Sequence, residues 1–179
     1  MGSVRRTVIA LTVAAPLLLA GCGRQASDAL PKPDAKKAAT ELQTGLTAQG
    51  KGDLDTAAQH YQEALKYDPK NKFAMYDLAL IDAAKANYGE AEQKYRVVLG
   101  IDPAYTPALF NLAILRKNQG DTSEATSLYR RALSADPKNA SAHMNLGLLL
   151  RQTGHKAEGD AEVKQALTLN PGLKDPAAS

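Results

Sequence analysis

Tryptophan is absent from this chain, phenylalanine occurs twice and cysteine once, and aromatic residues make up only 5% of the 179 positions. A lone thiol excludes an internal disulfide and any cysteine-based metal site. The three histidines, His60, His143 and His155, have no partner at ligand spacing, so a packed or exposed role is expected for each. Glycine-rich phosphate loops are missing, and so is any pairing of a nucleophile with a base or of two carboxylates for acid/base work. An enzyme is therefore not expected, and no cofactor or metal is. Scarce aromatics beside abundant alanine and leucine disfavour a sandwich or barrel and favour an all-α chain.

A strong charge of one sign is lacking too. The formal balance of 22 basic and 19 acidic residues gives +3. Arg5 and Arg6 belong to a leader, and without them the count is 20 against 19, close to neutral. The basic residues are interspersed with acidic ones, so the electrostatic footprint of a nucleic-acid binder is absent.

The one long apolar run lies at the start. "MGSVRRTVIALTVAAPLLLAGC" has a basic beginning, an apolar stretch from about Val8 to Leu19 and small residues at its end, the layout of a cleavable export signal over residues 1–21. It is too short to span a bilayer comfortably. Leu19-Ala20-Gly21-Cys22 resembles the lipobox of bacterial lipoproteins, which implies lipidation of Cys22 and a mature N-terminus there. Two acyl chains, at about 0.8 kcal/mol per buried methylene, hold a protein on a membrane without spanning it. The resemblance thus implies a lipid-anchored protein of the cell membrane or outer membrane, facing the extracytoplasmic space. Residues 22–37, rich in Ala, Asp and Lys with Pro31 and Pro33, read as a flexible tether.

Beyond it the chain counts. Asp-Pro-Lys-Asn occurs at 68–71 and 136–139, and Pro69, Pro103, Pro137 and Pro171 recur every 34 residues. On that phase Ala57, Ala91, Ala125 and Gly159 form one column of small residues, and Gly45, Ala79, Ala113 and Gly147 another. Tyr61, Tyr95, Tyr129 and Val163 form a column of larger ones. Small residues let two helices approach closely while the large one fills the gap, so each period is a packed antiparallel helix pair. Gly52, Gly120 and Gly154 mark the turn within a pair. Asn87 with Glu90, and Asp121 with Glu124, have capping-box spacing, and the residue before each proline is pushed out of the α region, ending the second helix. Asp82 and Arg116, 34 residues apart, suggest either an ion pair between them or two solvated charges. Glu41 and Thr44 stand where large apolar residues are usual, which predicts a shifted or loosely packed first helix.

This pattern resembles the tetratricopeptide repeat. The resemblance implies an α-solenoid, a right-handed superhelix of four units at 38–71, 72–105, 106–139 and 140–173, followed by a short tail at 174–179. It also implies an adaptor for a protein or peptide partner, bound in a concave groove lined by the first helices. The corresponding columns are Gln43, Asp77, Asn111 and Asn145; Leu42, Tyr76, Phe110 and Met144; and Leu46, Leu80, Ile114 and Leu148. Short amides could hold an extended backbone, the apolar columns could take alternate side chains, and Lys117 and Arg151 would form a basic edge. The same apolar spacing is equally that of residues packing neighbouring first helices. A structural role in assembling an envelope machine is the alternative function. With only "GLKDPAAS" after the fourth unit, Val163 and Leu167 are expected to be exposed unless the residues after Pro171 fold back over them, and exposure would favour a partner or a homodimer through the C-terminal repeat.

Overall fold

The computed structural model describes residues 31–176, and Cys22 with the leader lies outside that range. Among the described residues the chain forms eight helices and no strand. The first helices of the units are α1 (Ala35–Gly50), α3 (Lys72–Ala84), α5 (Thr106–Asn118) and α7 (Ala140–Gln152). The second helices are α2 (Leu54–Tyr67), α4 (Tyr88–Ile101), α6 (Thr122–Ala135) and α8 (Lys156–Leu169). Each helix packs on the next in sequence, giving an α-solenoid of four pairs.

The two small-residue columns meet at the crossing within each pair. Ala57, Ala91 and Ala125 are fully buried, and so are Ala79 and Ala113 opposite. Tyr61, Tyr95, Tyr129 and Val163 fill the space beside them and are at most 1% exposed. Close backbone approach is thereby coupled to one large residue per unit, which fixes how each second helix lies on its first.

The ends of the helices follow local chemistry. Asp53, Asn71, Asp121 and Asn139 each accept the backbone N–H three residues on, capping α2, α3, α6 and α7. Asn87 makes no such bond at the start of α4, so the expected capping box is missing there. At Asp121 only half of the box forms, since the Glu124 carboxylate is drawn to Arg96 and Arg116 instead. Asp34 caps α1 through Lys37 N, so this helix begins at Ala35, inside the stretch read as tether.

Gly52, Gly120 and Gly154 turn with φ of +81°, +87° and +88°, while the second unit has Ala86 at φ +62° in the equivalent place. A Cβ in the left-handed region costs about 1–2 kcal/mol, partly offset by the freedom glycine gains when unfolded. Ala86→Gly is therefore expected to stabilise the protein by about 0.5–1 kcal/mol, read as a raised urea midpoint. An unchanged or lower midpoint would contradict the assigned turn geometry.

Glu41 does not loosen the first unit. Its carboxylate lies 2.7 Å from Nδ1 of His60, and the fourth unit holds the same pair reversed, His143 Nδ1 lying 2.6 Å from Glu162. The polar residue is satisfied across the pair, so the helix keeps its register, with Gly45 against Tyr61. Asp82 and Arg116 do not meet either. Lys94 Nζ sits 2.6 Å from Asp82, whereas Arg116 faces Glu92, Asp121 and Glu124 at 2.6–3.2 Å.

The C-terminal end is covered rather than open. Val163 is 1% exposed, and Leu173, beyond the last helix, packs with Leu148 and Leu167 against the small cluster of Met144, Val163 and Ala166. Asp175 holds the segment down, its carboxylate 2.7 Å from Arg151. The expectation of an exposed Val163 fails because the side chain lies against Gly147 at the crossing of α7 and α8, and Leu167 is partly covered because the chain turns back after Pro171.

Candidate functional site

The candidate site is the face of the first helices. Asn111 on α5 reaches back to α3, donating Nδ2 to the Tyr76 hydroxyl at 2.8 Å and to Pro107 O at 3.0 Å. Asn145 donates to Ser141 O at 2.9 Å within α7. Both amide donors are thus partly engaged by the chain itself, with the side chains partly exposed. Gln43 at the head of the column is exposed.

The apolar columns do two jobs. Tyr76, Leu80, Phe110 and Ile114 pack against the main core with one edge and remain partly exposed with the other. Ring contacts hold the aromatics: Tyr76 lies 5.3 Å from Tyr105 and 6.0 Å from Tyr95, and Phe110 lies 5.9 Å from Tyr129. Leu42 and Leu148 are partly buried and Leu46 is exposed. Met144 departs from its column. It is buried in the C-terminal cluster, because the returning segment closes that end.

The basic edge is reduced to Lys117. Arg151 lies 2.6 Å from Asp160 and 2.7 Å from Asp175, so its guanidinium is committed to ion pairs that hold the fourth unit and the tail together. The sequence column could not show this, since the tail carboxylate is brought in only by the turn after Pro171.

Asp77, second in the amide column, is partly buried, and desolvation raises its carboxyl from the ordinary range to about 6. The folded chain thus keeps this proton at pH values where the unfolded chain has released it. Stability from this group is present at low pH and declines as pH rises from about 4 to 6. Asp77→Asn should remove that decline and raise stability at pH 7.5 by on the order of 1–2 kcal/mol. Thermal melts of both proteins from pH 4 to 8 check this, and parallel curves would contradict it.

A feature the sequence columns did not reveal is a cavity of about 230 Å³ between the second and third units. Ala83 and Tyr88 border it on one side, Asn111, Ile114 and Leu115 on the other, and Tyr95 also lines it. Its origin is a substitution within the repeat. In the first unit Gln49 accepts a hydrogen bond from the Tyr61 hydroxyl, whereas Ala83 occupies the equivalent position beside Tyr95 and leaves space. In the third unit the corresponding Tyr129 hydroxyl is buried without a hydrogen-bond partner. Tyr129→Phe is therefore expected to be neutral to about 1 kcal/mol stabilising, while Tyr61→Phe loses a bond and about 1 kcal/mol. Equal losses in chemical denaturation would contradict this assignment.

With this geometry in place, the comparisons with known proteins agree. The family model of the tetratricopeptide repeat matches residues 42–106 and 110–173, and the chain belongs to that family. No curated protein matches the chain by sequence. Among solved structures, MamA is similar with a TM-score of 0.69 at 20% identity, over 77% of this chain and 81% of that one. PilF of Pseudomonas aeruginosa has a TM-score of 0.69 at 24% identity, over 77% and 63%. The first TPR of Spaghetti (RPAP3), bound to the HSP90 peptide SRMEEVD, has a TM-score of 0.64 at 22% identity, over 68% and 97%. At these identities the likeness is one of fold.

Proposed function

We propose that this protein is a membrane-anchored adaptor that binds an extended segment of a protein partner along the face of α1, α3, α5 and α7. The observation that carries the reading is the row of Tyr76, Leu80, Phe110 and Ile114, each fixed on one edge by the core and open on the other, beside Asn111 and Asn145. Such a surface is rigid and partly apolar and needs little ordering on binding, which is what capture of a flexible segment requires. A neighbour of the same fold has been solved with a peptide bound, which supports the mode but not the ligand.

Anchoring rests on the sequence of the leader. Cys22 becomes the acylated N-terminus, and residues up to Pro33 space the repeats from the bilayer. No helix among the described residues is long and apolar enough to cross a membrane. Cys22→Ser should release the protein from the membrane fraction or leave its leader uncleaved; an intact leader and free thiol in the wild-type mature protein would refute the anchor.

A second reading, assembly of an envelope machine through the second helices, is favoured by Val97 and Ile101, one turn apart on α4, which are 46% and 37% exposed. The two readings separate on one double variant. Asn111→Ala with Asn145→Ala should abolish partner capture at nearly unchanged melting temperature if the first-helix face binds. Retained capture would favour the α4 surface.

A further inference from the structure

Among the described residues, every partly buried carboxylate but one has a partner. Glu41 and Glu162 face histidines, Glu63, Asp82, Glu92, Asp102, Asp121, Glu124, Asp160 and Asp175 face Lys or Arg, and Asp34, Asp68 and Asp136 accept backbone N–H groups. The exception is Asp77. The titratable groups close to it are the hydroxyls of Tyr61 on α2, Tyr76 on α3 and Tyr105 before α5, and among the described residues no Lys, Arg or His forms an ion pair with it. A charge taken partly out of water without compensation is unfavourable by itself, and here it stands on the face proposed to bind a partner.

We infer that Asp77 is the specificity-determining contact of that face, receiving a lysine or arginine side chain of the partner segment while an apolar side chain of the same segment enters the cavity beside Ala83. Three features converge on this occupant. The carboxylate supplies the complementary charge, and the hydroxyl oxygens of Tyr76 and Tyr105 near it are further acceptors for a cationic head on an aliphatic stem. The cavity of about 230 Å³ is smaller than the ~300–1,000 Å³ usual for small-molecule pockets and fits a single side chain. An acidic segment would instead meet Asp77 as a like charge. Binding should weaken as pH falls below about 6, where Asp77 takes up its proton.

This inference rests on the groove reading, and the test keeps the two apart. The full chain in detergent is used to select from a randomised nonapeptide library, acetylated and amidated so that no terminal charge contributes. The expected result is enrichment of Lys or Arg at one position and of an apolar residue at another. Against Asp77→Asn the basic preference should disappear and the apolar one persist, with selected arginine peptides losing about tenfold or more in affinity. Ala83→Gln, which refills the cavity, should erase the apolar preference alone. Enrichment without a basic preference, with an acidic one, or with a basic preference that survives Asp77→Asn would overturn the inference while leaving the groove standing. Absence of any enrichment by a folded protein, its melt intact, would overturn both.

Discussion

Replacing Gly159 with alanine is expected to lower the unfolding free energy by about 3 kcal/mol or more, the largest single-methyl effect in the molecule. The physical reason is local to the fourth unit. A Cβ on Gly159 would lie 2.6 Å from the Gly147 carbonyl oxygen and 2.9 Å from Arg151 N, and one on Gly147 would lie 2.7 Å from the Gly159 carbonyl oxygen. Backbone cannot yield as a flexible side chain can, so α7 and α8 would have to separate. Units two and three carry Ala79 with Ala91 and Ala113 with Ala125 at these places and are spaced to hold them. Gly100→Ala is the control. Its Cβ would meet nothing within 4 Å in α4, and the change should stabilise by about 0.5–1 kcal/mol. Urea denaturation of both variants reads the contrast, and a mild effect at Gly159 would contradict the close crossing.

The second large effect is expected at Ala91. It is fully buried where α4 crosses α3, in one cluster with Ala79 and Tyr95. Leucine there adds three carbons to a site already closed by backbone and ring, and such overpacking costs typically about 1–3 kcal/mol, with this site at the upper end. The variant should also disturb the neighbouring cavity, because Tyr95 lines it. An unchanged midpoint would mean that the 34-residue phase has been set one position out.

Much of this architecture was legible because its determinants are local and periodic. Proline ends a helix wherever it stands, and alanine at a fixed phase permits close approach wherever it recurs, so four copies of one pattern reinforce each other. What escaped the pattern depends on tertiary contacts that no column contains. Arg151 looked like a free groove cation until the turn after Pro171 brought Asp175 to it. Met144 fell in an apolar groove column, yet Leu173 helps close the cluster in which it is buried. Glu41 read as a misfit and His143 as a merely packed or exposed side chain; as reversed halves of one pair with His60 and Glu162 they are alternatives to an apolar contact. The cavity beside Tyr95 had a faint signal, the alanine at position 83 where its repeat equivalents are Gln49, Lys117 and Arg151. That signal concerns a missing side chain, and column reading notices residues more readily than gaps.

Site-specific photo-cross-linking in intact cells tests the central claim most directly. A photoreactive side chain placed at Ile114, on the first-helix face, is compared with one at Gln93, exposed on α4. Binding along the first helices predicts a discrete protein adduct from Ile114 that disappears when Asn111 and Asn145 are both alanine, with none from Gln93. An adduct from Gln93 alone, unaffected by those alanines, would contradict it.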